Sequence, residues 1–412
     1  MSIIKKKVNK VDVKEVYEAK ERLKGHIKET PVVYAPNLGE DIYLKVEVLQ
    51  DTGSFKLRGA YNKIATLSDE EAERGVVACS AGNHAQGVAK SASERGIKSV
   101  ICMPYHAPLS KVKATRNYGA EVELVKDSFD DAAAYAKKLS EEEGYTFIAP
   151  FDDEKIIAGQ GTVGLEILEE LPDVDIIVVP IGGGGLISGV ALAAKSINPD
   201  IKIIGVQTKI APSMYESVRE GKRLTVTGGS TIADGIAVKT PGEITYEMVK
   251  EYVDDIVLVT EGEISSAILT LLEDNKIITE GAAASTVAAL MYKKFNHRDK
   301  KVCCILSGGN IDVTRVSKVI QKGLYKTNRR MELRIKLDDQ PGQISKMSAL
   351  LEKQGANIVK INQNIDLVGD TIDSMIVSVV IDTKDKNHQD EILTALNQNS
   401  YVYKARYNDA QF

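Results

Sequence analysis

Four short strings in this chain combine residue types that can do chemistry. In Ser54-Phe55-Lys56-Leu57-Arg58-Gly59 a lysine stands inside an aromatic, small-residue loop. An amine desolvated there would be neutral and able to attack carbonyl groups. Gly182-Gly183-Gly184-Gly185-Leu186 offers backbone N–H groups unobstructed by side chains. Such a loop can close on a phosphate, with the start of a following helix adding positive potential. Ser80-Ala81-Gly82-Asn83-His84-Ala85-Gln86-Gly87 places Ser80 at an N-cap-like position, and free N–H groups at a helix start suit a carboxylate. Ser307-Gly308-Gly309-Asn310 presents a hydroxyl that can donate to a neutral ring nitrogen or accept from a protonated one.

Taken singly, each string also has a plain structural reading. The glycine run fits neither GxxxxGK[ST] nor GxGxxG and reads equally well as a tight turn. Lys56 alone is one of many lysines, most of which lie on the surface. The string from Ser80 reads as a capped βα loop, His84 as a satisfied polar residue, and the string from Ser307 as a helix-capping turn. The five histidines are scattered, so no metal site is expected.

The elements that would carry these strings follow from the alternation of short β-branched runs with helical patterns. Strands are predicted over 76–79, 99–103 and 121–125, with helices over 83–95 and 111–118 closed by Gly96 and Gly119. The alternation resumes with strands over 175–179, 202–207, 256–259 and 302–306, each followed by a loop rich in Gly, Ser or Asn. This order implies parallel strands with crossover helices, and ligands in such sheets sit at the carboxyl-end loops. The expectation is an α/β catalytic region over 1–326, built of two doubly wound subdomains with a cleft between them. The smaller, about 46–148, is inserted in the larger. Behind a polar boundary at 326–330 the pattern changes to βαββαβ over 331–407, a ferredoxin-like unit.

Composition narrows the function classes. A net charge of −5 and the absence of Trp argue against a phosphate-backbone binder, so nucleic acid is not an expected partner. Cys79, Cys102, Cys303 and Cys304 have neither paired CxxC spacing nor the density of a disulfide scaffold, which points to unpaired thiols in a reducing cytoplasm. The nineteen uncharged residues 176–194 approach the ~20 needed to span a bilayer, but Pro180 and the glycine run would break a spanning helix. A strand, a loop and a buried helix are expected there. The amino terminus is basic with no apolar stretch behind it, so neither a secretory signal nor a membrane partner is expected.

Together the strings say more than they do apart. SFKLRGA, SAGNHAQG, GQGT at 159–162, GGGGL, ADG at 233–235, EGAAA at 280–284 and SGGN occur in this order over about residues 10–325. In that order they resemble the serine/threonine dehydratase branch of the fold-type II pyridoxal-phosphate enzymes. The tail, with Asp339-Gln340-Pro341-Gly342 in its first loop, resembles an ACT domain, an amino-acid-sensing module. The whole chain resembles threonine ammonia-lyases that carry one.

The resemblance implies pyridoxal 5'-phosphate as cofactor, with Lys56 holding it covalently, Phe55 stacked on its ring and Asn83 hydrogen-bonded to its phenolic oxygen. Gly182, Gly183, Gly184, Gly185 and Leu186 would cradle the phosphate, Gly235 would pack on the other ring face, and Ser307 would face the pyridine nitrogen. Ser80, Ala81, Gly82, Asn83 and His84 would hold the carboxylate of an amino-acid substrate. The implied reaction is β-elimination from L-threonine, with Lys56 taking the Cα proton, to give 2-oxobutanoate and ammonia. L-Serine would react too. L-Serine or 3-hydroxyaspartate as the main substrate, and a non-catalytic amino-acid sensor on the same fold, are the alternatives.

Departures from relatives sharpen the implication. Many pyridoxal enzymes place Asp at the ring nitrogen; a neutral Ser307 favours prompt elimination over transamination. Ala81 stands where related serine racemases carry a serine, which implies little racemisation. Gln207, Ala211 and Ser213 occupy the segment where relatives with a divalent cation site use carboxylates, so no structural Mg²⁺ is expected, though carbonyls there could still bind a monovalent ion. The tail would bind an effector such as isoleucine or valine, with Gly342 and Asn357 as candidate residues, in a homo-oligomer, dimer or tetramer. A tail that only assembles the oligomer is the alternative.

Overall fold

In the computed structural model the chain is described over residues 11–126, 128–364 and 374–406. The basic residues 1–10, part of the amino terminus considered above, and the end of the tail lie outside that range. The chain divides into two compact units, 1–313 and 314–412.

The first unit opens with α1 (Val13–Leu23), capped by the Asp12 carboxylate, which accepts from the Lys14 N–H. β1 (Val32–Tyr34) and β2 (Ile42–Val46) follow, then a 3-10 turn over Glu47–Leu49, α2 (Lys56–Ala65) and α3 (Asp69–Arg74). A parallel sheet is next, laid down as β3 (Val76–Cys79), α4 (Asn83–Glu94), β4 (Ser99–Pro104), α5 (Leu109–Asn117), β5 (Glu121–Val125), α6 (Phe129–Glu143) and β6 (Thr146–Phe147). Gly96, Gly119 and Gly144 end these helices at φ of +66°, +89° and +80°, a conformation that favours glycine. Successive strand residues face opposite layers. Val76, Ala78, Ile101 and Met103 pack with α2 and α4, while Val77, Cys79, Val100 and Cys102 pack with α6.

The chain then runs through α7 (Glu154–Glu170), β7 (Ile176–Pro180), α8 (Gly185–Ile197), β8 (Lys202–Thr208) and α9 (Ser213–Arg219). It continues through α10 (Glu243–Tyr252), β9 (Asp255–Val259), α11 (Glu261–Glu273), α12 (Gly281–Met291) and β10 (Val302–Leu306). With β1 and β2 these strands form a six-stranded sheet, parallel except for β1, whose core pairs Ile177, Val179, Ile203 and Ile305 with Val163, Leu186 and Val190 of the covering helices. The uncharged stretch resolves into β7, the glycine loop and α8; among the described residues no helix is long and apolar enough to cross a membrane. All four cysteines are buried with free thiols.

Strand order locates the cleft. The larger sheet runs β1-β2-β10-β7-β8-β9, so the chain steps outward from β7 to β9 and then returns to the other side of β7. The smaller sheet runs β5-β4-β3-β6, with the same reversal beside β3. A crevice opens at the carboxyl ends of strands where the order reverses. The loops there are those after β7 and β10 in one sheet and after β3 and β6 in the other, and they contain the glycine run, Ser307, Ser80 to His84, and Pro150 with Phe151.

The second unit begins with α13 (Val313–Lys326), whose first residue closes the first unit. It continues as β11 (Arg330–Asp338), α14 (Gln343–Lys353), β12 (Asn357–Asn364), β13 (Ser374–Asp382), α15 (Lys386–Gln398) and β14 (Val402–Arg406). The four strands form an antiparallel sheet in the order β12-β13-β11-β14. Met331, Leu333, Ile335 and Leu337 alternate inward along β11 onto Met347 and Leu351 of α14 and Ile392 and Leu396 of α15.

Candidate functional site

The loop ahead of α2 is zipped to the loop after β10. The Phe55 N–H donates to the Ser307 carbonyl at 3.1 Å, the Gly309 N–H donates to the Gly53 carbonyl at 2.9 Å, and Ser54 pairs with Gly308 as an isolated bridge. Lys56 is thereby set beside Ser307. Its Nζ donates to the Pro150 carbonyl at 2.6 Å and stands 5.3 Å from the centroid of the Phe55 ring. Burial pushes the Lys56 amine down from 10.5 to about 8, against the charge of Glu280, which raises it. The amine is therefore deprotonated far more readily than a surface lysine.

The glycine loop is needed for packing as well as for its N–H groups. A Cβ on Gly183 would lie 2.4 Å from three atoms of the Phe151 ring, and one on Gly185 would lie 3.0 Å from the Phe151 carbonyl oxygen. Gly184 adopts φ +103°. The Gly183 carbonyl is taken by Thr245 Oγ1 at 2.6 Å, while the N–H groups of Gly185, Leu186 and Ile187 begin α8 and have no acceptor within it. A cradle without Cβ atoms at a helix start, next to a desolvated amine, fits a phosphorylated aldehyde: N–H groups for the phosphate and Nζ for the carbonyl.

Glu280 is a site residue that the sequence offered only as a letter in EGAAA. The residue is 6% exposed, its carboxylate accepts from Asn83 Nδ2 at 2.8 Å, and Asn83 Oδ1 accepts from Asn310 Nδ2 at 2.8 Å. Asn310 Nδ2 also donates to the Thr52 carbonyl at 2.7 Å. Burial pushes the Glu280 carboxyl up from 4.5 to about 7, opposed by the Asn83 hydrogen bond and reinforced by Asp234. Gly308 and Gly235 both border it, since a Cβ on either would lie 2.8 Å and 3.4 Å from Glu280 Oε1. Gly235 itself sits in a 3-10 turn, Asp234–Ile236, against Ala282. The contact is invisible in sequence because its partners come from distant segments.

The Ser80 to His84 segment differs from expectation in one respect. Ser80 does not cap α4: Gly82 is the N-cap residue, and Ser80 Oγ accepts from the Gly82 N–H at 3.2 Å instead. The local bond two residues along closes a small turn, which is the alternative use of a serine ahead of a helix. His84 is 3% exposed, with Nε2 paired to the Ile148 carbonyl at 2.9 Å, and burial pushes its ring down to about 3. The ring is neutral at ordinary pH. In the segment from Gly205 to Ser213, Gln207 Nε2 donates to the Ile181 carbonyl and Ser213 Oγ to the Val238 carbonyl, so both side chains are engaged.

In the second unit Gly342 is the N-cap of α14 at φ +89°. It borders a cleft of about 320 Å³ together with Gln340, Pro341, Ile344, Gln363 and Met375. Asn357 starts β12 opposite Asp382, at the other end of that strand from Gln363, and does not line the cleft.

The model of the family described as "Pyridoxal-phosphate dependent enzyme" matches residues 23–308, and that of the ACT domain matches residues 331–399. An L-threonine ammonia-lyase of Thermotoga maritima is 48% identical over 395 residues, covering 95% of this chain and 98% of the relative. A catabolic L-threonine dehydratase of Escherichia coli is 50% identical over 315 residues, covering 75% of this chain and 96% of the relative. Among solved structures, maize serine racemase superposes with a TM-score of 0.72 at 38% identity, covering 77% of this chain and 98% of that one.

Proposed function

The chain belongs to the pyridoxal-phosphate dependent enzyme family, and on that footing we propose that it is an L-threonine ammonia-lyase. It converts L-threonine to 2-oxobutanoate and ammonia and carries an ACT domain that binds an amino-acid effector. The observation that carries the reading is the Lys56 amine, lowered to about 8 and held at the crevice where both sheets reverse their strand order.

Lys56 and the loop from Gly182 to Leu186 would hold the cofactor, with Phe55, Asn83, Gly235 and Ser307 around its ring. Pyridoxal phosphate supplies the electron sink that renders the Cα proton acidic and allows the β-hydroxyl to leave. The N–H groups at the start of α4 receive the substrate carboxylate, and the buried imidazole of His84, paired with the Ile148 carbonyl, is neutral. Lys56 Nζ would take the Cα proton. The hydroxyl departs as water, and hydrolysis of the released enamine consumes one water and frees ammonia. Net water is zero.

One methyl group is worth ~1–3 kcal/mol in a pocket, so L-serine is turned over as well. The four buried cysteines with free thiols support a cytoplasmic setting. The test is 2-oxo acid release by the purified protein with pyridoxal phosphate, comparing L-threonine with L-serine and 3-hydroxyaspartate. A higher kcat/KM on threonine is expected. No product from any of the three would return the chain to a sensor role.

A further inference from the structure

Beneath the lysine-bearing helix lies a network of buried charges, which Lys45 extends to the partly exposed Glu170 at 3.4 Å. Arg58 is fully buried and uses all five of its N–H donors. Nε donates to Glu47 Oε2 at 2.8 Å and Nη2 to Glu47 Oε1 at 2.7 Å; Nη2 also donates to Glu166 Oε2 at 2.8 Å, and Nη1 donates to Glu166 Oε1 and to Thr162 Oγ1 at 3.1 Å. Lys45, also fully buried, pairs with Glu166 Oε2 at 2.7 Å and donates to the Thr30 carbonyl. The groups come from β2, the turn after it, α2 and α7.

Buried ion networks are a weak source of stability, because desolvation offsets most of the attraction and apolar replacements often serve as well or better. What such a network does supply is direction. Residues two apart on a helix point about 200° from each other, so Arg58 projects from the face of α2 opposite Lys56. Close backbone packing sets the distance of α2 from its neighbours: a Cβ on Gly159 would lie 2.7 Å from the Arg58 carbonyl, and one on Gly87 would lie 3.2 Å from the Lys56 carbonyl carbon. The Phe55 N–H bond to the Ser307 carbonyl holds the start of α2, and the Asn62 bond to the Lys155 carbonyl with the Lys63–Asp153 ion pair holds its later turn. At the turn that carries Lys56, the five-donor fork held by two carboxylates adds a fixed direction on the opposite face.

We propose that Arg58 is a positioning residue: by locking the rotation of α2 through Glu47 and Glu166 it aims the amine of Lys56 into the cleft. The proposal rests on the assignment of Lys56 as the cofactor-bearing lysine.

The test compares the parent holoenzyme with Arg58→Lys, which keeps the charge but loses the planar fork, and with an apolar quadruple variant, Lys45→Met, Glu47→Leu, Arg58→Met and Glu166→Leu. Four quantities are read: melting temperature, borohydride-trapped cofactor on Lys56 by peptide mass, visible circular dichroism per bound cofactor, and kcat with KM for threonine. Both variants are expected to trap cofactor on Lys56, to lose about half or more of the visible dichroic signal, and to lose about tenfold or more in kcat with KM changed less than about threefold. The quadruple variant should melt near the parent.

Parental dichroism and kcat in a folded variant overturn the inference, and leave the network a purely structural one. Should the quadruple variant fail to fold, Arg58→Lys decides alone by the same readings. No trapped adduct on Lys56 in the parent overturns the proposed function, and this inference with it; a normal parent with unaffected variants overturns the inference only.

Discussion

Asn83 Nδ2 donates to Glu280 Oε1 across 2.8 Å, although 197 residues separate the two. One residue begins α4 on the smaller sheet and the other precedes α12 on the larger, so the bond crosses the cleft floor. It also fixes which end of the Asn83 amide faces Glu280, leaving Oδ1 to Asn310. The carboxyl has little exposure and titrates near neutrality, and its consequences are measurable.

The Glu280 carboxyl rises from 4.5 to about 7 on folding, so the folded state binds the extra proton between those values. Its contribution to stability is fully present below pH 4.5 and is lost as pH rises through about 7. Glu280→Gln keeps an acceptor for Asn83 and removes the charge. The apoprotein variant should therefore exceed the parent in stability above pH 7, by on the order of 1–3 kcal/mol, with no difference at low pH. Denaturant titrations at both ends of the window check this; a pH-independent difference would contradict it.

The lowered Lys56 amine predicts how apoprotein captures cofactor. Only the neutral amine attacks, so the rate of pyridoxal phosphate capture should rise with pH and level off above about 8 instead of climbing toward 10.5. Glu280 raises the amine, so Glu280→Gln should move the rise to lower pH, gaining roughly threefold in rate per half unit on the limb. Stopped-flow absorbance reads both.

Gly183→Ala puts a methyl group 2.4 Å from the Phe151 ring. Overpacking of this kind costs about 1–3 kcal/mol, and cofactor affinity should fall with it because the loop must shift. Adding Phe151→Ala relieves the clash, so the double variant should bind pyridoxal phosphate more tightly than Gly183→Ala alone. Fluorescence titration of the apoproteins would expose a failure of that order.

Ser307 is 2% exposed. Ser307→Asp would keep a bound ring nitrogen protonated and deepen the electron sink, so threonine elimination should slow by about tenfold or more while side products appear. Unchanged turnover with no new product, by chromatography of the reaction mixture, would count against the role given to the neutral hydroxyl.

The cleft bordered by Gly342 and Gln363 should accept isoleucine or valine. Calorimetric titration of the whole protein is expected to show binding of at least one, and Gln363→Ala should weaken it about tenfold by removing a polar contact at the rim. Parental affinity in Gln363→Ala would place the effector elsewhere.

Much of the fold was legible because its signals are local. Val302–Leu306 is an apolar run with a glycine-rich exit, and Gly96 and Gly119 stop helices by themselves, so those elements could be read from a few adjacent residues. The antiparallel alternation of β11 is equally self-contained. Lys56, the glycine loop and Ser307 could be named because their strings resemble a family. Glu280 and Arg58 stood in two of those strings, but their partners, Asn83 in one case and Glu47 and Glu166 in the other, are set by tertiary packing. Ser80 misled for the opposite reason: a serine ahead of a helix has two local uses, as a cap or as a short turn, and here the turn forms.

Pro150, Phe151 and Asp152 are consecutive, yet each serves a different part of the first unit. The Pro150 carbonyl receives the Lys56 amine, the Phe151 ring lies against Gly183, and the Asp152 carboxylate accepts from the Glu243, Ile244 and Thr245 N–H groups that start α10. A single substitution disturbs one of these attachments. A one-residue insertion or deletion would shift all three out of phase at once, which makes this tripeptide a place where the chain's length is constrained as well as its side-chain chemistry.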